Sequence, residues 1–116
     1  MIRWAVVGSR DFPDRQLVED VLAVRIGPQD TVLSGGARGP DCWALEWAKA
    51  RDIKTLPPFL PDWNGPLKKG AGFARNTIIV ENCDQVIAFW DGQSRGTADT
   101  ITKAEAANKP VTVIKV

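Results

Sequence analysis

The chain has 116 residues, of which 44% are hydrophobic and 25% charged, with a net charge of +1 at neutral pH. These totals are ordinary for a globular protein, and no shift in composition marks a second unit, so we expect one domain over 1–116. The near-neutral charge argues against a general nucleic-acid binder, which carries a basic surface. Because the chain has no histidine, Ser-His-Asp and Cys-His catalysis are excluded.

The N-terminus runs directly into an apolar strand, without the pattern of a signal peptide or a membrane span. Cys42 and Cys83 lack the spacing of a metal site and are expected to stay reduced. We therefore predict a cytoplasmic protein with no cofactor and no membrane partner. No residues are assigned as metal ligands, and a metal requirement is left open.

Strands and helices alternate along the first half of the chain. The apolar run Arg3–Val7 predicts a strand that ends before Gly8. Asp14 is a suitable N-cap for a helix whose apolar residues recur at helical spacing as far as Gly27. The elements predicted next are a strand at Thr31–Leu33, a helix that begins at Pro40 and a strand at Lys54–Leu56.

The second half continues the alternation after a long loop. Pro57–Phe73 is rich in proline and glycine and has no period, which favours a lid or ligand clamp. The helix that follows is predicted at Ala74–Asn82, with Ile78 and Ile79 facing inward. The remaining predicted elements are a strand at Gln85–Trp90, a helix from Gly96 to Asn108 with Ala98, Ile101, Ala104 and Ala107 or Glu105 on its inner side, and a strand at Pro110–Val116.

This regular alternation predicts an α/β fold. We expect a single Rossmann-like domain of three layers, in which helices cover both faces of a doubly wound, mainly parallel sheet of about five strands. In such sheets ligands bind beyond the carboxyl ends of the strands, where the strand order reverses. The turns at those ends are therefore the first places to look for a site.

Three of those turns combine glycine with arginine just before a helix or a loop that leads to one. Bare backbone N–H groups and the positive end of a helix favour anions, phosphate above all. The standard ATP-hydrolysing loop and the G-x-G-x-x-G pattern are both absent. The candidate ligand-binding residues in these turns are Gly8, Ser9, Arg10, Ser34, Gly35, Gly36, Arg38, Gly39, Ser94, Arg95, Gly96 and Thr97.

Further candidates stand outside the three turns. Arg75 could clamp a phosphate and Asn76 a sugar or base edge, or both could belong to a solvated first helical turn. Asp41 could accept hydrogen bonds from ribose hydroxyls, or simply favour the helix dipole. Trp63 and Trp90 could stack on a base or belong to the core. Among the arginines, Arg38 and Arg75 are the favoured charge partners of a phosphate.

Several motifs together resemble the YspA-like family of the SLOG superfamily, relatives of the DNA-processing protein A and of the LOG cytokinin-activating enzymes. The resemblance implies a Rossmann-like fold that binds a nucleotide or a nucleotide-derived ligand such as an ADP-ribose derivative, on the Gly-Ser, Gly-Gly and Gly-Thr turns. The motifs are Gly8-Ser-Arg-Asp-Phe12, Ser34-Gly-Gly-Ala-Arg-Gly-Pro-Asp41, Asp62-Trp63, Gly70-Ala-Gly-Phe-Ala-Arg-Asn76, Ala88-Phe-Trp-Asp-Gly92 and Ser94-Arg-Gly-Thr-Ala-Asp-Thr100.

The resemblance also bears on catalysis. The LOG enzymes cleave the base from a nucleoside monophosphate with an arginine and a glutamate, and the resemblance assigns Arg75 to the arginine. Thr100 stands at the glutamate position, and a hydroxyl cannot replace a carboxylate in this chemistry. Asp99, one residue earlier, is a tentative substitute, although one residue along a helix turns the side chain by about 100°.

Three functions follow, in order of preference. The first is binding, whether sensing or sequestering, of a nucleotide-like small molecule. The second is hydrolysis of an N-glycosidic or phosphate bond by Arg75, with Asp99, Asp41 or Asp11 as the carboxylate. The third is single-stranded nucleic-acid binding, which the near-neutral charge makes the weakest, so nucleic acid is not expected as a partner. A homo-oligomer, dimer or larger, is expected because relatives of this fold often pair through helices.

Overall fold

The computed structural model describes residues 1–62, 64–65 and 70–115, and strands and helices alternate along this part of the chain. The predicted N-cap at Asp14 is confirmed, since its side chain accepts a hydrogen bond from the backbone N–H of Leu17. The elements are β1 (Arg3–Gly8), α1 (Arg15–Arg25), β2 (Thr31–Leu33), α2 (Pro40–Ala50), β3 (Lys54–Thr55), α3 (Ala71–Glu81), β4 (Gln85–Trp90), α4 (Arg95–Ala106) and β5 (Val111–Lys115).

All five strands pair in parallel, in the order β3-β2-β1-β4-β5. The chain therefore adds β2 and β3 on one side of β1, crosses back, and adds β4 and β5 on the other side. In register, Trp4 lies beside Val32 on one side of β1, and Val6 beside Ile87 on the other. The strand order reverses at β1 and β4, which is where parallel sheets of this kind bind ligands. The predicted doubly wound α/β fold is confirmed.

Successive side chains of β1 pack into two separate hydrophobic cores, one on each face of the sheet. Trp4 and Val6 pack with α1 and α2 on one face, where Leu22 is fully buried. Ala5 and Val7 face α3 and α4 on the opposite side. An uninterrupted apolar strand is needed because both faces of the sheet are covered. The result is a three-layer arrangement.

Some predicted boundaries and faces differ from the structure. Helix α3 begins at Ala71, three residues before the predicted start, because Gly70 serves as its N-cap and Gly72 continues the helix. Ile78 is 47% exposed rather than buried, while Ile79 is fully buried. Adjacent helical residues point about 100° apart, so they cannot both face the sheet squarely. Strand β3 ends one residue early, and Val116 lies outside the described residues.

The inner face of α4 also differs from the prediction. Thr97, Thr100 and Ala104 are buried, while Ala107 lies beyond the end of the helix and is exposed. Threonine can be buried here because its hydroxyl finds a partner within the helix: the Thr100 hydroxyl donates to the carbonyl of Gly96 at 3.3 Å. This face points toward the carboxyl ends of the central strands. Throughout the part of the chain that is described, no helix has the length and apolar character needed to cross a membrane.

Candidate functional site

A cleft of about 450 Å³ opens where the strand order reverses. Its volume falls in the range of small-molecule sites, roughly 300–1,000 Å³. It collects the end of β1 and the turn after β4 with the first turn of α2, the second turn of α3 and the start of α4. The predicted site residues that line it are Gly8, Ser9, Arg10, Asp41, Arg75, Asn76, Ser94, Gly96 and Thr97.

Asp41, in the first turn of α2, joins the first two turns. One carboxylate oxygen accepts the backbone N–H of Gly8 at 3.0 Å, and the other accepts that of Gly35 at 3.2 Å. The residue is only 5% exposed. Burial raises the pKa of Asp41 to about 6, although the positive charge of Arg75 and the two N–H groups oppose the rise. Asp41 is thus a buried carboxylate that positions two βα turns.

The polar groups of the Gly-Gly turn after β2 form hydrogen bonds within the protein. The backbone N–H of Gly36 donates to the Ser34 hydroxyl at 3.1 Å, and that hydroxyl donates to the carbonyl of Asp41 at 3.0 Å. Gly39 caps α2 with a positive φ of 92°, which favours glycine. Ser34, Gly35, Gly36 and Gly39 are not among the described lining residues. The phosphate-binding N–H groups expected at Gly35 and Gly36 are therefore already paired.

Arg75 is held in place by backbone carbonyls from two other segments. Its Nη1 donates to Phe59 O at 3.0 Å and lies 3.4 Å from Gly35 O, while its Nε donates to Asn76 Oδ1 at 3.0 Å. The absence of a side chain at Gly35 leaves the space that the guanidinium occupies. Burial lowers the pKa of Arg75; the negative charge of Asp41 opposes this change, and the positive charge of Arg10 adds to it. Arg75 is a fixed cation in the wall of the cleft.

Arg10 is the second cation of the cleft. It is exposed and lines the same cleft as Arg75, and its positive charge contributes to the lowered pKa of Arg75. Within the described ranges, its side chain forms no hydrogen bond or ion pair, whereas Arg38 is paired with Asp11 at 3.0 Å. Two neighbouring like charges create a site that an anion would stabilise.

The first turn of α4 forms the opposite wall. Ser94 is its N-cap, and the Ser94 hydroxyl accepts the Thr97 N–H at 3.4 Å. The Asp91 carboxylate accepts the N–H groups of Gln93 and Ser94, both at 2.8 Å, which lowers its pKa. The Asp91 N–H donates in turn to the Ser9 hydroxyl at 3.0 Å. This turn is thereby tied to the end of β1, with the positive end of a helix at the cleft.

Several predicted residues lie elsewhere. Arg38 has a 73% exposed side chain in its pair with Asp11, and Arg95 is also exposed outside the lining. Trp90 donates its indole N–H to Ser94 O at 3.0 Å, and its ring contacts Lys115, so it supports the α4 turn. Trp63 lies outside the described residues, and its predicted stacking role cannot be placed.

Asp99, the tentative catalytic carboxylate, contacts residues of α3 and α4, whereas Thr100 lines the cleft. The Asp99 carboxylate lies 2.8 Å from Lys103 Nζ and accepts a hydrogen bond from Asn76 Nδ2 at 3.2 Å. It belongs to the contact between α3 and α4 and is not among the described lining residues, whereas Thr100 lines the cleft. The residue that the resemblance places at the LOG glutamate position therefore lines the cleft without a carboxylate.

Sequence reasoning left some lining residues out of the candidate set: Val7, Ala37, Asp91, Gln93 and Thr100. Asp91 carried a usable signal, because an aspartate after a strand and before glycine commonly bonds the backbone two residues on. Across the described ranges, no three histidine, cysteine, aspartate or glutamate side chains gather as a metal site would require.

Comparison with known proteins assigns the chain to a family. The model of the YspA, cpYpsA-related SLOG family matches residues 2–65, which is more than half of the chain. The chain belongs to this family. The match includes the Gly-Ser and Gly-Gly turns and stops before α3. Comparison with curated protein sequences gave no match.

A solved structure similar to this member of the SLOG family is DNA processing protein A from Helicobacter pylori, which is described as binding single-stranded DNA. The TM-score is 0.69 at 24% sequence identity, over 97% of this chain and 64% of the other. The chain thus spans less than two thirds of that protein.

The same comparison corrects one expectation. The near-neutral charge suggested that nucleic acid is not a partner, and this expectation is wrong. The fold is one on which a solved relative binds single-stranded DNA. Net charge over the whole chain is a poor guide when a few local arginines, such as Arg10 and Arg75, line a single cleft.

Proposed function

We propose that the cleft binds a nucleotide or a nucleotide-derived ligand, such as an ADP-ribose derivative, with a phosphate beside Arg10 and Arg75. The carrying observation is that both of these arginines line one cleft. Arg75 is already oriented by Phe59 O and Asn76, so little side-chain freedom is lost when it meets an anion.

The first turn of α4 supplies the second half of the proposed phosphate site. A helix leaves its first backbone N–H groups unpaired, and the dipole favours negative charge at that end. Gly96 and Thr97 lie in this turn and line the cleft. The Thr97 N–H already donates to the Ser94 hydroxyl, so the N–H of Gly96 is the one that we expect to meet the phosphate. Asp41 has a positioning role in this proposal, because both of its oxygens already accept backbone N–H groups.

Titration calorimetry and thermal shift with AMP, ADP-ribose, NAD and cyclic nucleotides test the proposal. At least one ligand should bind and raise the melting temperature. Arg10→Ala and Arg75→Lys should each weaken binding several-fold, because each removes or misplaces a cation at the phosphate. Arg25→Ala is the matched control, since it removes an exposed positive charge at the far end of α1. Unchanged melting temperatures and no heat across the panel would refute the proposal.

Single-stranded nucleic-acid binding is the second candidate function. The observation that favours it is the shared fold with DNA processing protein A from Helicobacter pylori. A cleft that holds one nucleotide phosphate could equally hold a phosphate of a strand, with neighbouring nucleotides on the surface around Arg10.

Fluorescence anisotropy with labelled single-stranded oligonucleotides separates the two candidates. A strand binder should prefer oligonucleotides to AMP, and its affinity should fall steeply with salt as counterions are released. AMP should compete with the strand if both occupy the cleft. Equal affinities for AMP and for the oligonucleotide, with a weak salt dependence, would favour the small-molecule ligand.

A further inference from the structure

A second cavity, of about 170 Å³, borders the candidate cleft. It lies between α3 and the segment that leads to it, and Arg75 contributes to the walls of both cavities. Its volume is below that of a typical ligand site, roughly 300–1,000 Å³, so it would accept part of a ligand rather than a whole one.

The described walls of this cavity are predominantly apolar. They include Leu60, Ala71, Ala74 and Ile78, with one acidic residue, Asp62. Two of them are unusually exposed for large aliphatic side chains, Leu60 at 71% and Ile78 at 47%. Exposed apolar side chains that share one concave surface are typical of a binding site, whereas single exposed residues are not.

The two cavities differ in polarity. The larger cleft combines two arginines with the carboxylates of Asp11, Asp41 and Asp91, whereas the smaller one shares Arg75 and adds the exposed carboxylate of Asp62 to mostly hydrocarbon walls. A second phosphate would be repelled by that carboxylate and poorly solvated by those walls. An uncharged, flat group fits both features, and the N–H groups on its edge could donate to Asp62.

We infer that the second cavity holds the nucleobase of the ligand whose phosphate occupies the cleft, with Arg75 between them. The inference rests on the proposed function and deepens it, since it makes the base a determinant of affinity. The guanidinium of Arg75 is held by Phe59 O and Gly35 O, so its position relative to both cavities is constant. A planar guanidinium can also stack on an aromatic base.

Calorimetry with AMP, ribose 5-phosphate and inorganic phosphate tests the inference. Wild-type protein should bind AMP roughly tenfold more tightly than ribose 5-phosphate, a difference that a buried ring can supply. Ile78→Ser and Leu60→Ser should each reduce AMP binding several-fold and leave ribose 5-phosphate binding unchanged. The matched control is Val24→Ser, which changes an 83% exposed aliphatic residue on α1.

Each outcome decides a different point. Equal wild-type affinities for AMP and ribose 5-phosphate would overturn the inference and leave the proposed function intact. Variants that weaken both ligands equally would also overturn it, because the effect would then act through Arg75 or through folding. No binding of any of the three probes, with none from the wider nucleotide panel, would overturn the proposed function and the inference with it. The same test can be made with a strand. An oligonucleotide whose terminal nucleotide lacks its base should bind more weakly than the intact oligonucleotide.

Discussion

The carboxylate of Asp41 accepts the backbone N–H of Gly8 at 3.0 Å, across 33 residues of sequence. The contact joins the first turn of α2 to the end of β1, and the other oxygen of the same carboxylate holds Gly35 after β2. A single buried acid therefore sets the distance between two turns that border the cleft. Its ionisation and the space around Gly8 lead to the first two predictions.

Stability should depend on the protonation of Asp41. Folding raises the pKa of this group from 3.8 to about 6, so the protonated form is favoured in the folded state. Its contribution to the free energy of unfolding is complete below about pH 4 and is lost as the pH rises through about 6. Urea denaturation of wild type and Asp41→Asn should show the stability difference between them falling across this window.

Asp84 provides the control for that experiment. Its pairing with Arg3 lowers the pKa of Asp84 to about 2, so its contribution is lost only as the pH falls through that value. Asp84→Asn should leave the slope between about pH 4 and about pH 7 unchanged. Parallel wild-type and Asp41→Asn curves over the window would contradict the assignment to Asp41.

Gly8→Ala should destabilise the protein. A Cβ at Gly8 would lie 2.5 Å from Cγ of Pro40 and 2.9 Å from Phe89 O. Pro40 and the strand backbone are rigid, so the added methyl group should cost about 1–3 kcal/mol, as overpacking does elsewhere. The free energy of unfolding from urea titration measures the loss. A variant as stable as wild type would show that α2 can shift away from β1.

Gly96→Ala should have the opposite effect on stability and a separate effect on binding. A Cβ at Gly96 would meet no protein atom within 4 Å, and alanine favours a helix over glycine by about 0.5–1 kcal/mol. The melting temperature should therefore rise slightly. Because Gly96 lines the cleft, the methyl group should weaken ligand binding several-fold in calorimetry. Unchanged affinity would mean that the ligand does not approach this residue.

Incubation with nucleoside monophosphates should release no free base. Thr100 lines the cleft at the position that the resemblance assigns to the LOG glutamate, and the Asp99 carboxylate is engaged by Lys103 and Asn76. Neither side chain is placed to stabilise the positive charge of a glycosidic transition state. Chromatography of AMP and CMP reactions measures the product. Base release that Asp99→Asn abolishes would contradict this prediction.

The sequence by itself determined the elements and the fold class, because those depend on local patterns. The uninterrupted apolar run of β1 requires a sheet covered on both faces, and the observed sheet is covered in this way. The capping role of Asp14 involves a residue three positions away and could be predicted from local chemistry. Family motifs in the first two βα turns also depend only on residues that are neighbours in sequence.

The tertiary structure alone decided which candidate residues share the cleft. Arg75 lies against Gly35, 40 residues earlier, while Arg38 turns outward to Asp11 although it belongs to the Gly-Gly turn. Whether Asp99 or Thr100 faces the ligand depends on how α4 is rotated against α3 and the sheet. Helix rotation is set by the packing of the whole inner face, which no short motif records. Much of the lining was therefore readable from sequence, but the internal pairing of the Gly35 and Gly36 N–H groups and the outward position of Arg38 were not.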